Sequence, residues 1–288
     1  MTKQPTNWLA QKAMLTSLSV SRWHPYAIDR EVTDEVHESH NAAKDTGRYN
    51  KRLVDKSATM PTARIMNEAR HYHMRMTQPW LDNASARILP AALYLDYTAQ
   101  MNKFRKAFED EVVKFVADYP QHVEKRKKAI NGLFKADDYP SQDRLASLYG
   151  FEVTIMPCPD AGDFRVDLAA EHAEDIKAGI EATIKKALTT AMQEPMRRIA
   201  ETVGHMAERL RTYQKGDRMF ASMVDNVRDL VSFLPAFNLT DDPTLTALLA
   251  RMDKELCIDV KELKENAGTR AVAQIAAEDI LAKVKQYF

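Results

Sequence analysis

The sequence contains little cysteine and little glycine. Its 288 residues include two cysteines, Cys158 and Cys257, which lie far apart and form no CxxC motif. This usage fits two unpaired, packed thiols in a reducing compartment. Only eight glycines occur, whereas Ala, Met, Leu, Lys and Glu are plentiful, so the composition favours helix.

Long apolar runs are also absent. Residues 8–10 and 14–15 are apolar, but neither stretch is long enough for a signal peptide or a membrane span. A chain with 45% hydrophobic and 28% charged residues can still bury a substantial core. We therefore expect a soluble cytoplasmic protein with no membrane partner.

The motifs that mark common active sites are missing. The sequence has no GxGxxG, no Walker loop, no GxSxG elbow and no cysteine beside a recognisable histidine motif. His37 and His40 lie three residues apart, whereas the zinc-protease motif requires four, and no third ligand is evident. We expect no catalytic residues, no cofactor and no enzymatic activity. A metal-dependent enzyme built on the two histidines ranks far behind the other hypotheses.

Charge is unevenly distributed along the chain, although its total is zero. Residues 44–106 contain twelve Lys or Arg and five Asp or Glu, whereas residues 160–288 carry a net charge of −4. Aromatic residues are interleaved with the cations of the basic segment, namely Tyr49, Tyr72, Trp80, Tyr94, Tyr97 and Phe104. Cations neutralise phosphates and exposed rings stack on unpaired bases, as a single-stranded nucleic-acid groove requires. A basic helical face with its aromatics turned into the core remains the alternative.

The first hypothesis assigns these residues to contacts with single-stranded DNA. The predicted phosphate contacts are Arg48, Lys51, Arg52, Arg70, Arg75, Lys103 and Arg105, and the predicted stacking residues are Tyr49, Tyr72 and Trp80. A second basic cluster at residues 125–128 adds Lys125 and Arg126, and an alternating segment further along adds Arg165.

The hydrophobic periodicity predicts a mostly α (α+β) fold, a large helical protein with a small β-hairpin near residues 151–168 and no OB-fold. Strands are predicted at 151–156 and 163–168, joined by the turn residues at 157–162. The helices are predicted at residues 29–44, from 61 onward, 83–115 with a break near Pro90, 121–134, 170–192, 195–213, 217–234, 243–256 and 269–287. This pattern divides the chain into a basic helical part (1–148), a hairpin seam (149–168) and an acidic helical part (169–288), with a single compact domain as the alternative.

An ordered series of short segments resembles a family of phage and bacterial proteins of unknown function. These segments are GRYNKRLVD (47–55), PWLD (79–82), RILP (87–90), DYPS (138–141), DFRV (163–166) and NLTDDP (238–243). The series is similar to the Drc-like single-stranded DNA-binding transcription cofactors of Enquatrovirus-related phages. The resemblance implies cooperative coating of unpaired DNA, assistance to the RNA polymerase of phage middle transcription, and the host cytoplasm as location. Some bacterial members are encoded beside MoxR-type ATPases, which implies an alternative role as an adaptor or partner protein.

Two binding hypotheses therefore follow. The first is a sequence-tolerant, cooperative single-stranded DNA-binding protein with a role in phage transcription and in DNA replication. The second is an adaptor of a MoxR-type ATPase whose basic face meets an acidic protein surface. Self-association along a shared strand is also expected, because the basic and acidic parts of neighbouring molecules attract each other, and the amphipathic ends at residues 8–15 and 280–288 are the predicted docking elements.

Overall fold

The computed structural model describes residues 8–81, 85–163, 170–214 and 216–288. Helices dominate this part of the chain and the strands form two small sheets, which confirms the predicted mostly α class. The helices are α1 (Trp8–Lys12), α2 (Arg30–Ser39), α3 (Lys56–Met76), α4 (Tyr94–Ile130), α5 (Gln142–Ser147), α6 (Ala170–Thr212), α7 (Ser222–Phe233), α8 (Pro243–Leu256), α9 (Val260–Glu265) and α10 (Ala267–Val284). The strands are β1 (Ala13–Ser21), β2 (Tyr26–Ile28), β3 (Asn50–Arg52), β4 (Gln78–Pro79), β5 (Arg87–Pro90) and β6 (Gly150–Pro157). None of the described helices is both long and apolar enough to cross a lipid bilayer.

The larger sheet has the strand order β4-β5-β1-β6, and the smaller sheet pairs β2 with β3. β1 and β5 are antiparallel, in a register that runs from Ala13 opposite Pro90 to Thr16 opposite Arg87. β6 begins at Gly150, where an added Cβ would lie 2.9 Å from the Ser21 hydroxyl oxygen. This close approach favours glycine at the start of β6.

The predicted β-hairpin is found only in its first strand. Residues 151–156 lie within β6, which neighbours β1 in the sheet. A 3₁₀ turn, Ala161–Asp163, follows the strand. The second predicted strand, at 163–168, falls outside the described residues after Asp163, so Arg165 has no structural account.

Two long helices continue through proline, where the sequence predicted separate helices. Pro120 lies inside α4 and Pro195 inside α6. Proline removes one backbone donor from a helix, but α4 buries a row of large side chains along one face, namely Tyr97, Met101, Phe108, Phe115 and Tyr119. This packing offsets the lost hydrogen bond. The predicted helix at 83–115 begins only at Tyr94, because residues 87–90 form β5.

The described chain divides into two compact units, each made of separate stretches. Unit 1 comprises residues 1–17, 74–96 and 155–288, and unit 2 comprises residues 18–73 and 97–154. The predicted boundary at 149–168 differs from this division. The chain passes between the two units several times, so a single boundary in the sequence does not separate them. Strand pairing such as that of β1 with β5 joins residues far apart in the chain, which local patterns do not reveal.

Unit 1 is a helical bundle with an apolar core. α6 packs against α7 and α10, and α8 packs against the same two helices. A buried cluster joins the N-terminal segment to this unit through Leu9, Ala13, Leu15, Trp80, Ile88, Cys158, Ala187, Ala191 and Leu239. At the other end of the chain, Ile280 and Val284 are fully buried. Both predicted docking segments, 8–15 and 280–288, therefore contribute to the core of unit 1.

Unit 2 has two apolar clusters of its own. One contains Trp23, Leu53, Val54, Phe115, Tyr119 and Leu145. The other contains Val20, Met66 and Phe108, with Tyr149 and Phe151 packed against it. The cluster that contains Trp23 packs against one face of the small β2–β3 sheet, through Ala27 of β2.

Candidate nucleic-acid interface

A two-stranded ribbon in unit 2 carries the candidate interface. β2 and β3 pair antiparallel, with Tyr26 opposite Arg52 and Ile28 opposite Asn50. Residues directly opposite each other share a face of a sheet, and every second residue returns to that face. These four side chains therefore lie on one side of the ribbon, which we call the ribbon face.

The ribbon face is open to solvent and combines a ring with a cation. Tyr26 is 48% exposed and Ile28 is 47% exposed. The guanidinium carbon of Arg52 lies 4.6 Å from the centroid of the Tyr26 ring, and Arg52 also donates a hydrogen bond to the Tyr26 hydroxyl. A guanidinium over a tyrosine ring is a favourable cation–π pair. The pair holds the charge over the Tyr26 ring at the surface.

Lys51 lies on the opposite side of the ribbon, in the interior of unit 2. Its ammonium nitrogen is 2.8 Å from Asp29 Oδ2, 2.7 Å from Asp138 Oδ2 and 2.8 Å from the Leu133 carbonyl oxygen. Three acceptors match the three protons of an ammonium group, and the side chain is only 2% exposed. This corrects the prediction that Lys51 contacts phosphate, because strand alternation turns it away from solvent.

The internal ion pair also changes the pKa values of its members. Burial by itself would lower the pKa of Lys51, but the contacts with Asp138 and Asp29 outweigh burial and raise that pKa. The hydrogen bond from Lys51 lowers the pKa of Asp29, despite the opposing effect of burial. Asp29 also caps α2 by accepting a hydrogen bond from Val32 N. The ribbon, the start of α2 and the segment around Leu133 are thus fixed to one another by this charge.

The end of α4 adds further cations beside the ribbon. Arg126 Nε donates a hydrogen bond of 2.8 Å to the Arg52 carbonyl oxygen, which places residues 125–128 next to β3. Lys125 is exposed and forms an ion pair of 2.6 Å with Asp55, a contact that lowers the pKa of Asp55. Lys127 and Lys128 are also exposed, and the Lys127 ammonium lies 5.2 Å from the Phe134 ring centroid. Arg126 therefore positions the cluster, and the three lysines present its charge.

Arg48 and Tyr49 precede β3 and extend the surface along the chain. Both are exposed, Tyr49 to 40%. The Tyr49 backbone is held at both of its polar groups, because its N–H donates to Thr33 Oγ1 at 3.0 Å and its carbonyl accepts from Asp29 N at 2.9 Å. The side chain thus leaves a fixed backbone position and remains available at the surface.

A second group of predicted residues lies on α3 and α4 within unit 2. Arg70 is exposed and donates a hydrogen bond of 3.3 Å to the Val20 carbonyl oxygen, and Lys103 is also exposed. Tyr72 is half-buried, with its ring stacked on Tyr97 at 6.2 Å and edge-on to Phe104 at 5.9 Å. Arg105 is likewise half-buried, and its Nε is enclosed. Tyr72 is thus mainly a packing residue, which corrects its assignment as an open stacking ring.

Two predicted residues belong to unit 1. Trp80 is only 6% exposed and lies in the apolar cluster of that unit, so a base cannot reach the faces of its ring. Arg75 is exposed, and its guanidinium lies 3.9 Å from Asp229 and 5.9 Å from the Phe233 ring centroid. The prediction for Trp80 is corrected by its burial, and Arg75 is separate from the ribbon in sequence and in unit.

The structure brings together Arg52, Lys125 and Arg126 from the predicted set, and it adds Tyr26. Arg48 and Tyr49 come just before β3 in the chain. Tyr26 was not predicted, because it lies outside the basic segment 44–106. Residues 26–28 form a short strand in which an exposed tyrosine and an exposed isoleucine flank an alanine, and this alternation is the feature of the sequence that indicates it.

The described part of the chain contains no group of three or more His, Cys, Asp or Glu side chains that could hold a metal ion. Comparison of the chain with protein-family models, with curated proteins and with solved structures found no match.

Proposed function

We propose that the protein binds single-stranded DNA through the ribbon face of unit 2. The observation that carries the proposal is the pairing of Tyr26 with Arg52 across β2 and β3, both at the surface and 4.6 Å apart. A ring stacks on an unpaired base, and a guanidinium beside it reaches the phosphate of the same strand.

The neighbouring residues support a strand running along the ribbon. Arg48 and Tyr49 precede β3 at one end of the ribbon, and the exposed lysines of residues 125–128 lie near Arg52 at the other end. Exposed rings with cations nearby suit a flexible single strand, whose bases are accessible on their faces. The bases of a duplex are stacked on one another and offer no such face. We therefore infer a preference for single strands over duplexes and little dependence on base sequence.

Two further roles belong to this proposal. Cooperative coating of the strand and assistance to a phage RNA polymerase are both implied by the resemblance to the Drc-like cofactors. The predicted docking ends at 8–15 and 280–288 support this cooperativity poorly, because Leu9, Leu15, Ile280 and Val284 are buried in unit 1. Contacts between neighbours on a strand would then involve other, exposed surfaces.

The test is a measurement of affinity by fluorescence anisotropy, with a labelled poly-dT oligonucleotide and a matched duplex, across a series of salt concentrations. We expect tighter binding of the single strand and a slope of log K against log salt of about −0.7 per phosphate contacted. Replacing Lys128 with Gln should make that slope less negative by about 0.7. Equal binding of both DNAs, or no binding of either at low salt, would overturn the proposal. Co-purification with a MoxR-type ATPase in that case would favour the adaptor role.

The Tyr26 ring provides a second, independent test. Tyr26→Ala should weaken oligonucleotide binding by about 5- to 150-fold, which corresponds to about 1–3 kcal/mol for one stacked base. Tyr26→Phe is the matched control, because it retains the ring and removes only the hydroxyl that Arg52 contacts. Phe220→Ala is a second control, since Phe220 is also an exposed ring but lies in unit 1. Equal losses for all three variants would show that the Tyr26 ring does not stack.

A further inference from the structure

A cavity of about 280 Å³ opens beside the ribbon in unit 2. It lies between one side of α2 and the loop that returns to β3. Its lining residues are Thr33, Val36, His37, His40, Ala42, Thr46, Gly47, Arg48 and Tyr49. The volume is close to the lower limit of about 300 Å³ that is typical of small-molecule pockets, so the cavity suits one small planar group.

The walls of the cavity are held by hydrogen bonds within the protein. Ala42 N donates to the His37 carbonyl oxygen at 2.9 Å as the chain leaves α2. The Thr46 hydroxyl donates to the Ala43 carbonyl oxygen at 2.7 Å, and Tyr49 N donates to Thr33 Oγ1 at 3.0 Å. The cavity is thus formed before any ligand arrives, which lowers the entropy cost of binding.

His37 is the polar group that distinguishes this cavity. Its residue is only 7% exposed, and its Nδ1 is buried without a hydrogen-bond partner in the described structure. Buried polar atoms are normally paired, and an unpaired one destabilises the folded state. Nδ1 itself is enclosed, so a ligand in the cavity meets the accessible edge of the His37 ring, where an imidazole nitrogen can donate or accept according to its tautomer.

The other walls match the remaining parts of a nucleotide. Val36 and Ala42 provide apolar surface, and Tyr49 provides a ring that is 40% exposed. Arg48 is exposed at the same cavity and supplies a cation within reach of a phosphate. A flipped nucleobase requires this combination, namely stacking on an aromatic or apolar wall and a hydrogen bond to its edge.

We propose that this cavity receives one unpaired nucleobase of the bound strand. The proposal rests on the proposed single-stranded DNA binding and adds a specific base pocket to it. Tyr49 lies at the cavity and directly precedes β3, so the cavity adjoins the ribbon along the chain. Arg48 then contacts the phosphate of the inserted nucleotide, and the edge of the His37 ring that lines the cavity pairs with its base.

The test uses a substitution that fills the cavity. Val36→Trp places a large ring at a residue that is 47% exposed, so the helix tolerates it. Val113→Trp is the matched control, because Val113 is 70% exposed on α4 and does not line the cavity. Anisotropy with a dT oligonucleotide should show about a 5- to 150-fold loss of affinity for Val36→Trp, with an unchanged salt slope, and no loss for the control. His37→Leu should give a loss in the same direction, and circular dichroism checks that each variant is folded.

Thymidine alone is the second probe. Saturation-transfer NMR should detect thymidine on the wild-type protein and not on Val36→Trp. If the wild-type protein binds the oligonucleotide but Val36→Trp binds it equally well, the base pocket is wrong and the proposed function stands. If thymidine binds but the oligonucleotide affinity is unaffected by Val36→Trp, the cavity is a site for a free nucleoside, which also overturns the proposal. If the wild-type protein binds no oligonucleotide, both the pocket and the proposed function fail.

Discussion

Lys51 places a positive charge in the interior of unit 2, and the acceptors around it determine its effect on stability. Its side chain is 2% exposed, and that of Asp29 is 1% exposed. A buried ion pair contributes little net stability when complete, because desolvation of both charges opposes their attraction. Removal of one member strongly destabilises the fold, because the remaining charge stays buried without a partner.

We expect Lys51→Met to lower the free energy of unfolding by about 3–5 kcal/mol, because it leaves Asp29 and Asp138 facing an apolar side chain. Lys114→Met is the matched control. Lys114 pairs with Glu111 at 2.6 Å, but its side chain is 66% exposed. Its loss should therefore cost much less than the loss of Lys51. Urea unfolding at neutral pH measures both values, and similar losses for the two variants would contradict the assignment of Lys51 to the interior.

Acid should remove the stability that Asp29 contributes. The hydrogen bond from Lys51 lowers the pKa of Asp29 in the folded chain. The unfolded chain therefore binds the proton more readily, and the free energy of unfolding rises with pH in this range. The contribution is complete above the unfolded carboxyl pKa of about 3.9 and is lost as pH falls through the lower folded value. Urea unfolding from about pH 3 to 6 should show a shallower pH dependence for Asp29→Asn than for the wild-type protein, and equal slopes would contradict the pairing of Asp29 with Lys51.

Lys51 and Arg52 are neighbours of the same chemical type, and the sequence therefore predicted a phosphate contact for both. The strand separates them, because it turns alternate residues to opposite faces, so one lies inside and the other outside. A three-residue strand is too short for its period to be recognised in the sequence. Trp80 is a comparable case, since an aromatic residue beside cations fits a core and a surface equally well.

At the scale of elements, the starts of several helices were predictable and strand pairing was not. The predicted helix starts at residues 29 and 243 agree with the structure, in which Asp29 is the N-cap of α2 and α8 begins at Pro243. It missed β1, where small and hydroxyl residues weaken the alternation of apolar side chains. Partners from distant parts of the chain create that strand, and no local pattern contains this information.

The end of α3 depends on a guanidinium from α6. Arg198 donates to the carbonyl oxygens of Met74 at 2.7 Å and Thr77 at 3.0 Å, and its Nε donates to Glu194 at 2.8 Å. The last carbonyl groups of a helix have no partner within the helix, and a cation near them is favourable. The planar fork of arginine satisfies several acceptors at once, which the single ammonium of lysine does not.

We expect Arg198→Lys to destabilise unit 1 by about 1.5–3 kcal/mol, the range for hydrogen bonds to a charged group. The adjacent Arg197 offers a matched control, because its side chain is 51% exposed and its partners in the described part of the chain are Glu194 and Glu201. Arg197→Lys should cost less than about 1 kcal/mol. Thermal unfolding followed by circular dichroism compares the two, and an equal effect would show that Arg198 does not stabilise the end of α3.

At the scale of the whole molecule, the uneven charge along the sequence does not produce a strongly basic unit in the folded protein. Residues 44–106 are strongly basic, but unit 2 as a whole contains nineteen Lys or Arg and seventeen Asp or Glu. Acidic residues of α2 and of the middle of α4 join the basic segment in that unit. The interface therefore depends on local placement of a few cations rather than on a basic domain, so its long-range attraction for DNA should be weak.

Cutting the chain at the predicted boundary tests the observed division into units. A fragment of residues 1–148 contains the whole ribbon face and the lysines of residues 125–128, but it lacks Tyr149 and Phe151 of the unit 2 core. It also contains Leu15 and Ile88 without Ala187 and Ala191, their partners in the unit 1 cluster. Apolar surface left uncovered in this way favours aggregation over folding. We expect fragments 1–148 and 149–288 to lack a cooperative thermal transition when expressed separately, and fragment 1–148 to lack the oligonucleotide binding of the intact chain. A cooperative transition in each fragment, with DNA binding retained in the first, would instead support the boundary predicted from the sequence.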